Sequence, residues 1–140
     1  MPVADIARTD VMTASRDQSA GNLATVMKEE NVGSVIIETD DEPVGIVTDR
    51  DLVIDVLEPR ADPTAVTAEE VMTETPVTVG GEQGVFDAIR TLHESSVRRL
   101  PVVDGDDTVA GIVTLDDLVV MLSDELDSLS DVIEAESPPY

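Results

Sequence analysis

The chain has no cysteine and no tryptophan, and its 140 residues include one lysine, one histidine, one phenylalanine and one tyrosine. Without cysteine there is no disulfide, no thiolate nucleophile and no cysteine-ligated zinc. With Phe86 and Tyr140 as the only aromatic residues, any core must be built from Val, Ile, Leu, Ala and Met. Basic residues are scarce as well: eight Lys plus Arg stand against 31 Asp plus Glu, a formal net charge of −23. Phosphate backbones are held by Lys and Arg that displace counterions, so nucleic acid is excluded as a partner class. No basic segment precedes an apolar run at the start, and no apolar stretch nears the ~20 residues a membrane helix needs. A soluble, cytoplasmic protein with no membrane partner is expected.

Acidity of this degree also occurs in disordered chains, but a 41% hydrophobic content with clear periodicity calls for a fold. At molar salt the Debye length falls to about 3 Å, so a surface that repels itself in dilute buffer becomes tolerable. Little Lys and abundant Asp resemble the composition of salt-accumulating halophiles.

The chain contains itself twice. Val11-Met12-Thr13 and Val71-Met72-Thr73 match at an offset of 60, but this match is a decoy. An offset of 65 runs unbroken from Ile6 and Val71 to Val32 and Val97, and superposes the apolar helix faces around Leu23 and Ala88. One extra residue in the second hairpin shifts it to 66 at Gly45 and Gly111. Each half then predicts strand, helix, strand, strand, helix. The first strands fall near 10–14 and 76–79, and the first helices over 18–30 and 83–95. The hairpins span 34–48 and 100–114, and the closing helices cover 49–57 and 115 onward. Pro59 and Pro63 mark a linker. The last helix continues beyond its counterpart with apolar spacing through Val132, and six acids with no basic residue follow Ser123. It either covers the core with a solvated tail or contacts another protein.

Each hairpin ends in Gly-Ile-Val-Thr followed by an acid three residues after the Thr: Thr48 with Asp51, Thr114 with Asp117. Thr-x-x-Asp is a capping box, in which Thr accepts from the first helical turn and the acid reaches back to the Thr amide. Capping is the plainer reading of the motif taken alone; the sharper one is a set of groups that could hold a polyol and an anion at a helix start. Arg98 and Arg99 precede one copy, and Gly33 and Ser34 stand in their place before the other. Arginine offers bidentate geometry to phosphate, whereas exposed pairing with nearby carboxylates is the plainer role. His93 has no triad or metal set around it. Asp104-Gly105-Asp106-Asp107 reads as a hairpin turn, since it lacks a calcium loop's frame and closing Glu. With no nucleophile beside a base and no Gly-rich phosphate loop, an enzyme is not expected.

Two such units, with Asn31-Val32-Gly33-Ser34 in the first and Val97-Arg98-Arg99-Leu100-Pro101-Val102-Val103-Asp104 in the second, resemble a tandem pair of cystathionine-β-synthase (CBS) domains, or Bateman module, over residues 3–122. The resemblance implies an α+β fold of two pseudo-symmetric β-α-β-β-α repeats packed through their sheets, here with an extended acidic C-terminal helix. The expected divisions are 1–60, 61–123 and 124–140. It also implies a regulatory module that needs no cofactor. Such a module binds an adenosine-containing ligand (AMP, ADP, ATP or S-adenosylmethionine) between the repeats, is often homodimeric, and here would signal to an effector protein in trans. Carried over by position, one cleft joins Thr114 and Asp117 with Ile6, Ala7, Asp10, Val11 and Thr13, and Arg98 and Arg99 make it the phosphate-binding one. The other joins Thr48 and Asp51 with Val71, Met72, Thr75, Pro76 and Val77. The alternative is an assembly module that dimerises and takes no physiological ligand.

Overall fold

A computed structural model describes residues 1–74 and 76–137 of the chain. A single 3-10 turn, Val3–Asp5, precedes the two-residue strand β1, Thr13–Ala14. Ser19 starts helix α1, Ala20–Glu30, by accepting the Asn22 amide at 3.1 Å, and Asn31 ends it in left-handed backbone at φ 53°. Val35, Ile36 and Ile37 are all fully buried in β2, Ser34–Thr39. Asp40 and Asp41, both at positive φ, turn the chain into β3, Glu42–Thr48. Two positive φ values suit the twist of a tight hairpin, and Asp tolerates them better than most residues. Helix α2, Asp49–Leu52, widens into a π-helical stretch at Val53–Leu57, where the sequence predicts one continuous helix.

The second half repeats this plan. A short helix α3, Ala68–Val71, and strand β4, Thr73–Glu74, lead into β5, Val79–Gly80. Helix α4, Val85–Ser95, ends at Ser96 with φ 52°, the counterpart of Asn31. Strands β6, Arg99–Val103, and β7, Val109–Thr114, follow, and helix α5, Leu115–Glu136, is the last element among the described residues. Between β6 and β7, Asp104 accepts from the amides of Asp106 and Thr108 and from the Thr108 hydroxyl, which makes this segment the turn its composition predicts. The matching cap positions and the bulges after Ile37 and Val102 all support the 65-residue register. Among the described residues no helix is long and apolar enough to cross a membrane.

Two sheets result among the described residues, ordered β1-β2-β3-β4 and β5-β6-β7. Strand alternation sends Val35 and Ile37 into one core and Leu100 and Val102 into another. Ile36 and Pro101, on the opposite faces of their strands, are buried as well.

The lead segments are exchanged between the halves. Strand β4 lies after the linker, yet it pairs with β3 of the first half, with Thr73 opposite Ile46. Ala68, Val71 and Met72 accordingly complete the first core. Reciprocally Arg8 forms an antiparallel bridge with Ile112 on β7, and Val3 is buried in the second core. These crossings explain the glycines that open the two Gly-Ile-Val-Thr motifs. A Cβ on Gly45 would collide with the Met72 side chain, and one on Gly111 would lie 2.5 Å from the Arg8 carbonyl oxygen. A backbone atom yields less readily than the end of a methionine. Gly111→Ala should therefore destabilise the chain by about 1–3 kcal/mol in chemical denaturation, the usual cost of overpacking. Gly105→Ala, whose Cβ would meet nothing within 4 Å, should leave the midpoint nearly unchanged.

Candidate functional site

Both Thr-x-x-Asp motifs sit at helix starts and both form complete capping boxes. The Thr48 hydroxyl accepts the Asp51 amide at 3.2 Å, and the Thr48 amide donates to Asp51 Oδ2 at 2.8 Å. Thr114 and Asp117 repeat this at 3.2 and 2.9 Å, and the Thr114 hydroxyl adds a third bond to Asp117 Oδ2 at 2.9 Å. Capping is thus what the motif does in this structure, and it holds the carboxylates at the positive end of each helix.

The copies differ in what else reaches the acid. Arg8, arriving on the exchanged lead segment, donates to Asp117 Oδ1 from Nε at 3.1 Å and from Nη2 at 2.8 Å. The Asp117 side chain is only 13% exposed. Burial pushes its carboxyl up, but the Arg8 guanidinium together with the Thr114 amide and hydroxyl outweighs that and holds it below the usual carboxylate value. The strand position of Arg8 belongs to Thr73 in the other copy, and among the described residues no cation pairs with Asp51.

Arg8 forms one wall of a hollow of about 300 Å³ between the halves, at the lower end of the usual range for small-molecule sites. Asp10, Val11 and Met12 line it from the first lead segment, Arg99, Ile112 and Thr114 from the second half, and Gly33 and Ser34 from the loop entering β2. Arg99 is half-buried and its Nη2 lies against the Gly33 backbone, where a Cβ would come within 3.3 Å. A larger hollow, about 460 Å³ between α1 and α2, is walled mainly by Ala24, Leu52, Val53, Val56 and Leu57 and offers little to a sugar or phosphate.

Of the residues predicted for this cleft, Thr114, Arg99, Asp10 and Val11 line it, and Asp117 meets it through Arg8. Ile6 and Ala7 are half-buried against the second core. Thr13 is exposed and faces a separate surface hollow with Arg16 and Glu38. Arg98 stands at the rim, 3.7 Å from Asp116 with both side chains exposed, because neighbouring residues at a strand's start project to opposite sides. Around the twin motif, Val71 and Met72 are buried in the first core, Pro76 is half-buried and Val77 exposed. Thr75 lies outside the described residues. Sequence reasoning missed Arg8. The 65-residue register that sets it opposite Thr73 was the available signal, but its meaning depends on the exchange of lead segments.

The CBS domain family matches residues 3–58 and 68–124, which takes in both Thr-x-x-Asp motifs and both lead segments. The chain belongs to this family. An uncharacterized protein of Methanopyrus kandleri is 39% identical to this CBS pair over 118 residues, 84% of the chain. The chain spans 60% of that relative's length. The CBS domain-containing protein YhcV of Bacillus subtilis is 33% identical over 118 residues, covering 84% of this chain and 83% of its own. Among solved structures, the CBS domain pair of protein MJ0100 in complex with 5′-methylthioadenosine and S-adenosyl-L-methionine superposes with a TM-score of 0.78. It is 26% identical and covers 87% of this chain and 99% of its own.

The Arg8–Asp117 pair can be tested without a ligand. Asp117 has a lowered folded-state pKa, so it contributes stability above its unfolded value near about 3.9 and loses that contribution as pH falls through the folded value. A carboxyl NMR titration should place Asp117 below a free aspartate. Arg8→Ala should move its midpoint upward, since burial then has only Thr114 to oppose it. A midpoint that does not move would deny the pair.

Proposed function

We propose that this CBS pair is a regulatory module that takes an adenosine-containing ligand between its repeats and passes the resulting change of shape to a separate effector protein. The observation that carries the reading is the convergence of Arg99, Thr114 and the Arg8–Asp117 pair on one hollow fed by both halves. A carboxylate accepts from two adjacent ribose hydroxyls, and a guanidinium offers two parallel donors to a phosphate. The adenosine ligands in the MJ0100 complex support the ligand class. A ligand held by both halves binds their alternative arrangements unequally, which is the requirement for signalling.

AMP, ADP, ATP and S-adenosylmethionine are the ligands in scope. Arg99 is the inner phosphate contact and Arg98 an outer one. The twin motif, Thr48 and Asp51, to which no arginine is brought among the described residues, is proposed to take a less charged ligand. A regulatory role requires no turnover and no resident cofactor. The excess of acids, 31 against eight basic residues, fits a protein that works at high salt, and a cytoplasmic homodimer is the form proposed for it by analogy with the family.

Thermal melts in molar salt should show saturable stabilisation by AMP or ATP, because a ligand that selects the native state raises stability by mass action. Arg99→Ala should weaken AMP and ATP binding about tenfold or more, equivalent to roughly 1.4 kcal/mol. A chain indifferent to every adenosine ligand would instead support an assembly role.

A further inference from the structure

Asp117 has no oxygen to spare. Oδ2 takes the Thr114 amide and hydroxyl, and Oδ1 takes both Nε and Nη2 of Arg8. A ribose diol that seeks this carboxylate must therefore displace Arg8. The Arg8 backbone is fastened by its bridge to Ile112, with N···O distances of 2.9 and 3.0 Å, but its side chain is 63% exposed and can turn without moving the strand. Asp51 meets no such obstacle, since Thr73 stands at the equivalent strand position.

We infer that Arg8 sets which adenosine ligands the Asp117 cleft accepts, admitting those that carry a phosphate and resisting neutral ones. This rests on the adenosine-binding reading above. A neutral nucleoside that takes Asp117 leaves the Arg8 guanidinium without an anion. A nucleotide takes the same carboxylate and supplies a phosphate inside the same cleft, where Arg99 also lies. The remaining ionisable side chains of the lining are Asp10, Glu30 and Asp116. Without Arg8 the cleft has one cation against those acids and Asp117, a field that favours neutral or cationic ligands.

Calorimetric titration of AMP and adenosine into the full chain tests this, with Asp51→Asn in the background to weaken the twin cleft. The parent should bind AMP at least about tenfold more tightly than adenosine. Arg8→Ala should lose that ratio mainly by gaining affinity for adenosine, and Arg8→Lys should restore part of it. A gain on truncation is something a merely structural arginine cannot produce. Binding with an unchanged ratio, or equal weakening of both ligands, would overturn the role of Arg8 and leave the binding reading intact. Absence of binding by either ligand to either chain would overturn both.

A separate observation concerns α5. Its counterpart in the first half closes at Leu57, whereas α5 continues to Glu136. Along it Val119, Leu122, Leu126, Leu129 and Ile133 alternate at spacings of three and four residues, and all are exposed, from 37% at Leu122 to 66% at Leu126. That spacing is a heptad seam. In its frame Asp124, Asp127, Asp131 and Glu134 fall on the outer positions, Ser123, Glu125, Ser130, Val132 and Ser137 flank the seam, and Glu136 takes the seam position after Ile133.

The geometry points to a second copy of this chain as the occupant of the seam. Two copies bring no row of like charges together, because four of the six acids after Ser123 face outward and only Glu125 and Glu136 lie beside or on the seam. A basic partner helix would find only Glu125 and Glu136 to pair with.

The chain has no cysteine, so Ser128→Cys gives a single spin-label site on an outer position. Labelled chains in molar salt should show an intermolecular separation of about two helix diameters, roughly 20–25 Å. Adding Leu126→Asp and Leu129→Asp, both at exposed positions, should abolish it while circular dichroism stays unchanged. No intermolecular coupling, or coupling that survives the double substitution, would overturn the proposal and leave the seam to a different protein.

Discussion

The Arg8 amide donates to the Ile112 carbonyl, and the Ile112 amide donates back to Arg8, so that one antiparallel bridge fastens the start of the chain to the edge of the second sheet. The cleft depends on that bridge. It carries Asp10, Val11 and Met12 to one wall, sets the Arg8 guanidinium over the first turn of α5, and requires a glycine at 111, where a Cβ would strike the Arg8 carbonyl. The mirror crossing of β4 over β3, with Met72 above Gly45, makes the same demand of the first half. Neither half buries its core alone. Val3 completes one core, and Ala68, Val71 and Met72 complete the other. A displacement at one lead segment is therefore felt in the partner half, which is the coupling a sensor needs.

Within that frame one local motif serves two purposes. Thr-x-x-Asp satisfies the unpaired amides of a helix start and, in the second copy, holds an acid that Arg8 ties to the wall of the cleft. The two copies are alike in capping and unlike in electrostatics. Asp117 is drawn into an ion pair with Arg8, whereas Asp51 bonds only its own cap among the described residues. In a chain of net charge −23 with eight basic residues, two arginines line one hollow, where they offset part of the charge of Asp10, Glu30, Asp116 and Asp117.

Much of this was legible beforehand. The duplication, the linker at Pro59 and Pro63, the hairpins and both Thr-Asp pairs followed from periodicity and turn chemistry, which are local. The strand at Asp10–Ala14 was predicted too long and the helix to Leu57 too regular, because short edges and the last turn of a helix are decided by what lies against them. Arg98 and Arg99 look equivalent as neighbours in sequence, and only the strand's alternation separates the lining residue from the rim residue. Arg8 was invisible for a stronger reason. It acts on an acid 109 residues away, and the pairing exists only because the lead segments are exchanged.

The central claim is that the Arg8, Arg99 and Asp117 cleft holds the nucleotide, and a crystal structure of the chain with AMP at molar salt tests it most directly. The account predicts the ribose on Asp117, the phosphate between Arg99 and a swung Arg8, and the Arg8 to Ile112 bridge intact. AMP bound only at Thr48 and Asp51, with Arg8 still paired to Asp117, would contradict it.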